Sequence, residues 1–118
     1  MKQKEALQLI FALDFHNNFP ILFEMTNVNI LEQQAIDAAV SAQWETAIEL
    51  NKQIVKENRE DISSHLRLGF AYLQLNNLND AKKEYKAVLK LQPKNLLASE
   101  HLEKIEILES KKKNKAIN

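Results

Sequence analysis

The sequence predicts an all-α solenoid: short helices pair into hairpins, the hairpins stack, and one more helix closes the stack. Three observations carry that expectation. There is one glycine and there are two prolines in 118 residues, while Ala, Leu, Glu, Lys and Gln, all strong helix formers, dominate. The breaks that do occur are regularly placed: "SAQ" at 41–43, "ENRED" at 57–61, "LNN" at 75–77 and "QPKN" at 92–95. They leave segments of about 12 to 15 residues, an ordinary helix length. Laid against itself with an offset of 34 residues, the chain also agrees in residue type. Ala47 falls on Ala81, Lys52 on Lys86, Ile54 on Val88, Val55 on Leu89, Trp44 on Leu78, Ala35 on Gly69 and Ala38 on Tyr72.

Residues 1–27 precede the repeating part and form an N-terminal helical extension. Lys2 and Lys4 ahead of "ALQLIFAL" resemble the start of a secretory signal, but Glu5 and Gln8 interrupt the pattern and "DFHNN" offers no small-residue cleavage site. The run is also far shorter than the ~20 residues that span a bilayer. An amphipathic helix over about 3–14, broken before Pro20, is the expectation. Four of the five phenylalanines lie in this segment. Three roles are open to it: a cap folded over the repeat stack, a segment lying in the groove of a second copy, or, with translation starting at Met25, no packing role.

The two copies occupy residues 28–61 and 62–95. Asp61 and Asn95, 34 apart, each precede an apolar run and offer a side-chain oxygen to the unpaired amides of the next helix. Asn76 suits the left-handed residue that ends a helix, Asn77 suits the cap of the following one, and Pro93 stops the helix ending near Leu91. Residues 96–110 read as a closing helix with Ala98, Leu102 and Ile105 on one face. Residues 111–118 read as a disordered, solubilising tail rich in lysine.

The stretch "LRLGFAYLQLNNLNDAKKEYKAVLKLQPKN" resembles the tetratricopeptide repeat family at Leu68, Gly69, Tyr72, Ala81, Tyr85 and Pro93. The upstream copy keeps Ala35, Trp44, Ala47 and Ile54, but Asn51 replaces the aromatic and Arg59 the proline. The resemblance explains the lone glycine, which in a helix interior costs roughly 1 kcal/mol relative to alanine. The expected close contact is between Gly69 and Ala81, repeated upstream by Ala35 and Ala47.

Composition narrows function by exclusion. Sixteen basic and sixteen acidic side chains cancel, so no net field draws the chain to nucleic acid or an anionic membrane. Without cysteine there is no disulfide framework and no thiolate metal site, which fits a reducing compartment, with the cytoplasm expected. No phosphate loop, serine elbow or metal-spaced histidine pair is present, and Glu57 with Glu60 or Glu103 with Glu106 reads as a solvated helix face. His65 is expected to pack inside the hairpin and His101 to face solvent. A non-enzymatic protein without metal or cofactor is expected.

The resemblance implies a partner site on the concave face lined by the first helix of each pair. Helical spacing places Asn29, Glu32, Gln33, Ile36 and Val40 there from the first copy, and Ser63, Leu66, Arg67, Phe70 and Gln74 from the second. Leu97, His101 and Lys104 follow from the closing helix. The family's best-defined mode, a lysine, asparagine and arginine clamp on a chaperone peptide's terminal carboxylate, is not carried over. Glu32, Ile36, Arg67, Leu97 and His101 stand at its positions, without its first lysine or either asparagine. What remains is an apolar anchor at Phe70 flanked by Arg67 and Lys104, suited to a peptide or helix of some acidic character. The expected partner is thus a protein or peptide. Homodimerisation and service as a small adaptor subunit are the alternatives, and nucleic-acid binding through Lys111, Lys112, Lys113 and Lys115 is a weaker one.

Overall fold

The computed structural model describes residues 19–117, with side chains over 29–116. Five helices follow one another among the described residues: α1 Phe19–Val40, α2 Trp44–Glu57, α3 Ile62–Gln74, α4 Leu78–Leu91 and α5 Leu96–Ile117. Among the described residues there are no strands, in keeping with an all-α repeat architecture. The chain divides into two units between Ile30 and Leu31, and α1 contains residues of both. The helix expected over 3–14, and with it the cap, lies outside the described residues. Pro20 stands in the first turn of α1, where its missing N–H deprives the helix of nothing. No helix boundary falls at 27/28, so the extension and the first copy share one helix.

Both hairpin turns close in the same way. Ala42 and Asn76, 34 residues apart, are the two non-glycine residues with positive φ among the described residues, at 56° and 59°. The amide behind each reaches back to close the turn: Gln43 to the Ala38 carbonyl at 2.8 Å, Asn77 to the Tyr72 carbonyl at 2.9 Å. The junctions between copies match too, with Asn58 bonded to Ile54 and Gln92 to Val88. The 34-residue period of the sequence is therefore a period of the backbone.

The caps divide. Asn95 Oδ1 accepts the Ala98 amide at 2.9 Å, as expected of a helix N-cap. Asp61 and Asn77 make no side-chain cap bond, which corrects the expectation for both. The Asp61 carboxylate instead accepts the Ser64 hydroxyl.

Neighbouring helices pack consecutively, α2 on α3, α3 on α4 and α4 on α5. The core runs from Ala38 through Ala47, Ile48, Leu68, Ala71 and Tyr72 to Leu78, Ala81, Tyr85 and Val88, ending on Ala98 and Ile105 of α5. Each fully buried large side chain among these contributes about 1.5–3 kcal/mol relative to exposure. On α5, Ser99, Glu103 and Glu106 are exposed together with the apolar Leu96 and Ile107, and Lys82 of α4 is bonded to Glu109 at 2.9 Å.

One boundary differs from the expected one. α5 continues to Ile117, so the lysines taken for a disordered tail are helical. No glycine or proline stops the helix after Ser110, and cations in the last turns suit the negative end of the helix dipole.

Candidate functional site

The face formed by the first helix of each pair depends on a contact that occurs twice. Asn51 and Tyr85 occupy equivalent places on α2 and α4, and Arg67 and His101 occupy equivalent places on α3 and α5. In the first instance the contact is polar: Arg67 Nε donates to Asn51 Oδ1 at 2.8 Å. The buried Asn51 in turn donates from Nδ2 to the Ala47 carbonyl at 2.8 Å. In the second instance it is aromatic: the Tyr85 and His101 rings stack with centroids 5.0 Å apart and planes inclined by 4°.

Gly69 is explained by the same contact. A Cβ built on it would lie 2.7, 2.8 and 2.9 Å from Cζ, Cε2 and Cε1 of Tyr85. Its close partner is thus the Tyr85 ring rather than Ala81, which corrects the expected pairing. Upstream the smaller Asn51 replaces that ring, and the equivalent of Gly69 is the buried Ala35, which carries a methyl. The hydroxyl of Tyr85 is buried without a hydrogen-bond partner among the described residues, and burial pushes its ionisation well above the usual tyrosine range.

Around these contacts the expected face separates into engaged and open residues. Arg67 is engaged: besides Asn51, its Nη2 donates to Ser64 Oγ at 3.0 Å and lies 3.6 Å from Glu32 Oε1. It is therefore held by the protein and does not flank the anchor as a free cation. Leu66 is half-buried against the core. Open positions are Gln33, Ser63, Gln74 and Lys104, together with Ile36 (36% exposed), Phe70 (41%), Leu97 (48%) and Val40 (83%). Asn29 is exposed and belongs to the other unit of the chain.

Phe70 is the organised member of the open set. Its ring stands edge-to-face with Trp44 of α2 at 5.6 Å and with His101 of α5 at 6.4 Å. Two helices thereby orient an aromatic that remains at the surface, where such pairs contribute about 0.5–1.5 kcal/mol beyond area burial. His101, expected to face solvent, is half-buried between Tyr85 and Phe70, with Nδ1 donating to the Leu97 carbonyl at 2.9 Å. His65 is buried as expected, but its contacts are polar, Nδ1 to Glu84 Oε2 at 2.7 Å and Nε2 to the Arg59 carbonyl at 2.8 Å.

Residue-level reading missed Asn51, which counted only as a departure from the repeat pattern. Its pairing with Arg67 was available as a signal: both partners are polar in one copy and aromatic in the next. Among the described residues no cluster of three or more His, Asp or Glu side chains could hold a metal, and no helix is long and apolar enough to cross a membrane.

A family model for the tetratricopeptide repeat matches residues 31–100. No curated protein sequence matches the chain.

Proposed function

Because this chain belongs to the tetratricopeptide repeat family, whose members generally mediate protein–protein interaction, we propose that it is a non-enzymatic module binding a peptide or helix along its first-helix face. The observation that carries this reading is Phe70, an aromatic held edge-on by Trp44 and His101 yet 41% exposed. A ring already fixed in orientation loses little entropy when a partner covers it, the property of an interface anchor. Ile36, Val40 and Leu97 are further exposed apolar residues of the expected face, and the exposed Lys104 supplies the cation that Arg67 does not.

A displayed-peptide library selected on the full chain tests the reading. Selected peptides are expected to lose at least about tenfold in affinity on Phe70→Ala, equivalent to roughly 1.4 kcal/mol, with helicity unchanged. Peptides that bind Phe70→Ala and Ile36→Asp as tightly as the parent would place the site elsewhere. A second copy as occupant would register in light scattering as a concentration-dependent mass that Phe70→Ala abolishes.

A further inference from the structure

The continuation of α5 past Ser110 changes what its lysines can do. Leu97, His101, Lys104, Leu108, Lys111 and Lys115 recur at alternating intervals of four and three residues, so they form one stripe along the helix. Its upper half holds the Leu97 and His101 of the face described above. Its lower half is cationic, and at 1.5 Å per residue the stripe runs about 27 Å.

That lower half borders a surface pocket of about 500 Å³ lined by Asn76, Leu108, Lys111, Lys112, Asn114 and Lys115. The left-handed turn between α3 and α4 places Asn76 opposite the lysines. Ion pairs among the described residues are Arg67–Glu32 and Lys82–Glu109, and Glu84 is hydrogen-bonded to His65, so Lys104, Lys111, Lys112 and Lys115 have no acidic partner in the described residues. Three lysines and two asparagines line one concavity whose exposed surface is mainly apolar, so their ammonium and amide groups are the donors it offers to carboxylates.

We infer that this pocket is a second subsite, which takes an acidic stretch of the same partner peptide whose apolar residue covers Phe70. The inference rests on the groove reading for the apolar half and on the pocket for the acidic half. A peptide is favoured over a nucleic acid by two features. Residues 31–110 carry ten basic against thirteen acidic side chains, so the rest of this unit repels a long polyanion while a short acidic run meets only the lysines. The lysines also have no aromatic among them on which a base could stack.

The test uses the ¹⁵N-labelled full chain titrated with a hexaglutamate peptide blocked at both ends, so that no terminal carboxylate contributes. Amide shifts are expected at Asn76, Leu108 and Asn114, and K111E/K112E/K115E is expected to weaken binding at least tenfold. K111Q/K112Q/K115Q, which adds no negative charge to the helix end, should weaken it in the same direction. K83E/K86E/K90E on α4 should stay within twofold of the parent. Equal losses from the α4 variant, or shifts spread over all lysines, would overturn the subsite. Tighter binding of a ten-nucleotide oligothymidylate at the same amides would overturn the acidic peptide in favour of nucleic acid. Matching shifts with inorganic phosphate alone would reduce the pocket to a simple anion site and overturn it also. Because hexaglutamate carries no apolar residue to cover Phe70, its failure is separate from failure of the library peptides, which tests the groove.

Discussion

Gly69→Ala sets two known effects against each other at one atom. Alanine in a helix interior is favoured over glycine by about 1 kcal/mol, so in open space the substitution stabilises. At Gly69 the added carbon would lie 2.7–2.9 Å from three carbons of the Tyr85 ring, where carbon contacts are normally ~3.5–4.0 Å. A shortfall of about 0.8 Å must be absorbed by a side chain that is 1% exposed and stacked on His101. Overpacking of that kind costs roughly 1–3 kcal/mol, leaving a net loss of about 1 kcal/mol, or about 4 °C in Tm for a domain of this size. Thermal and urea unfolding of Gly69→Ala, with and without Tyr85→Leu, make the double-mutant cycle that checks this. Once the ring is gone, Gly69→Ala should reverse sign and stabilise by about 1 kcal/mol, a coupling of about 2 kcal/mol. A higher Tm for Gly69→Ala alone, or the same loss in both backgrounds, would refute the ring contact as the reason for the glycine. Gly69→Leu should exceed the usual overpacking range.

Other substitutions separate the remaining contributions. Tyr85→Phe removes a buried hydroxyl that has no partner among the described residues and is expected to stabilise by about 1 kcal/mol, read as a shift in urea midpoint at unchanged slope. Ala42 holds a left-handed conformation that costs an alanine roughly 1–2 kcal/mol, so Ala42→Asn, copying Asn76, should raise Tm while a control Ala39→Asn should not. Asn51→Ala strips the Arg67 Nε–H of its acceptor and should cost about 1–3 kcal/mol by chemical unfolding. Asn95→Ala should lower stability by about 1 kcal/mol through the lost cap on Ala98, measurable by the same unfolding.

Fold was legible because its signals are local and repeated. The left-handed residue at Asn76, the stop at Pro93 and the 34-residue offset each reflect backbone chemistry that one stretch of chain decides. Contacts across helices were less legible. Spacing assigned Arg67 to the first-helix face, but its capture by Asn51 and Ser64 depends on an interhelical distance that no periodicity encodes. For the same reason Ala81 was expected where Tyr85 stands, since both face α3 one turn apart on α4. The length of α5 was misjudged because a lysine run is compatible with solvated coil and with helix alike, and packing of Leu108 and Glu109 on the body favours helix.

The two versions of the interhelical contact also bear on how such a chain could lengthen. Residues 62–95 enter and leave through the same backbone geometry, so an in-frame duplication would meet no obstacle in the main chain. Its new junction, however, would set Tyr85 of one copy against Arg67 of the next, in place of the imidazole it now meets. A guanidinium can lie flat on a phenol ring, so the seam could form, but that arginine would lose the amide acceptor supplied by Asn51. The cassette is thus interchangeable in its backbone and individual in its seams, and each added unit would need its own pair of residues adjusted before the array became uniform.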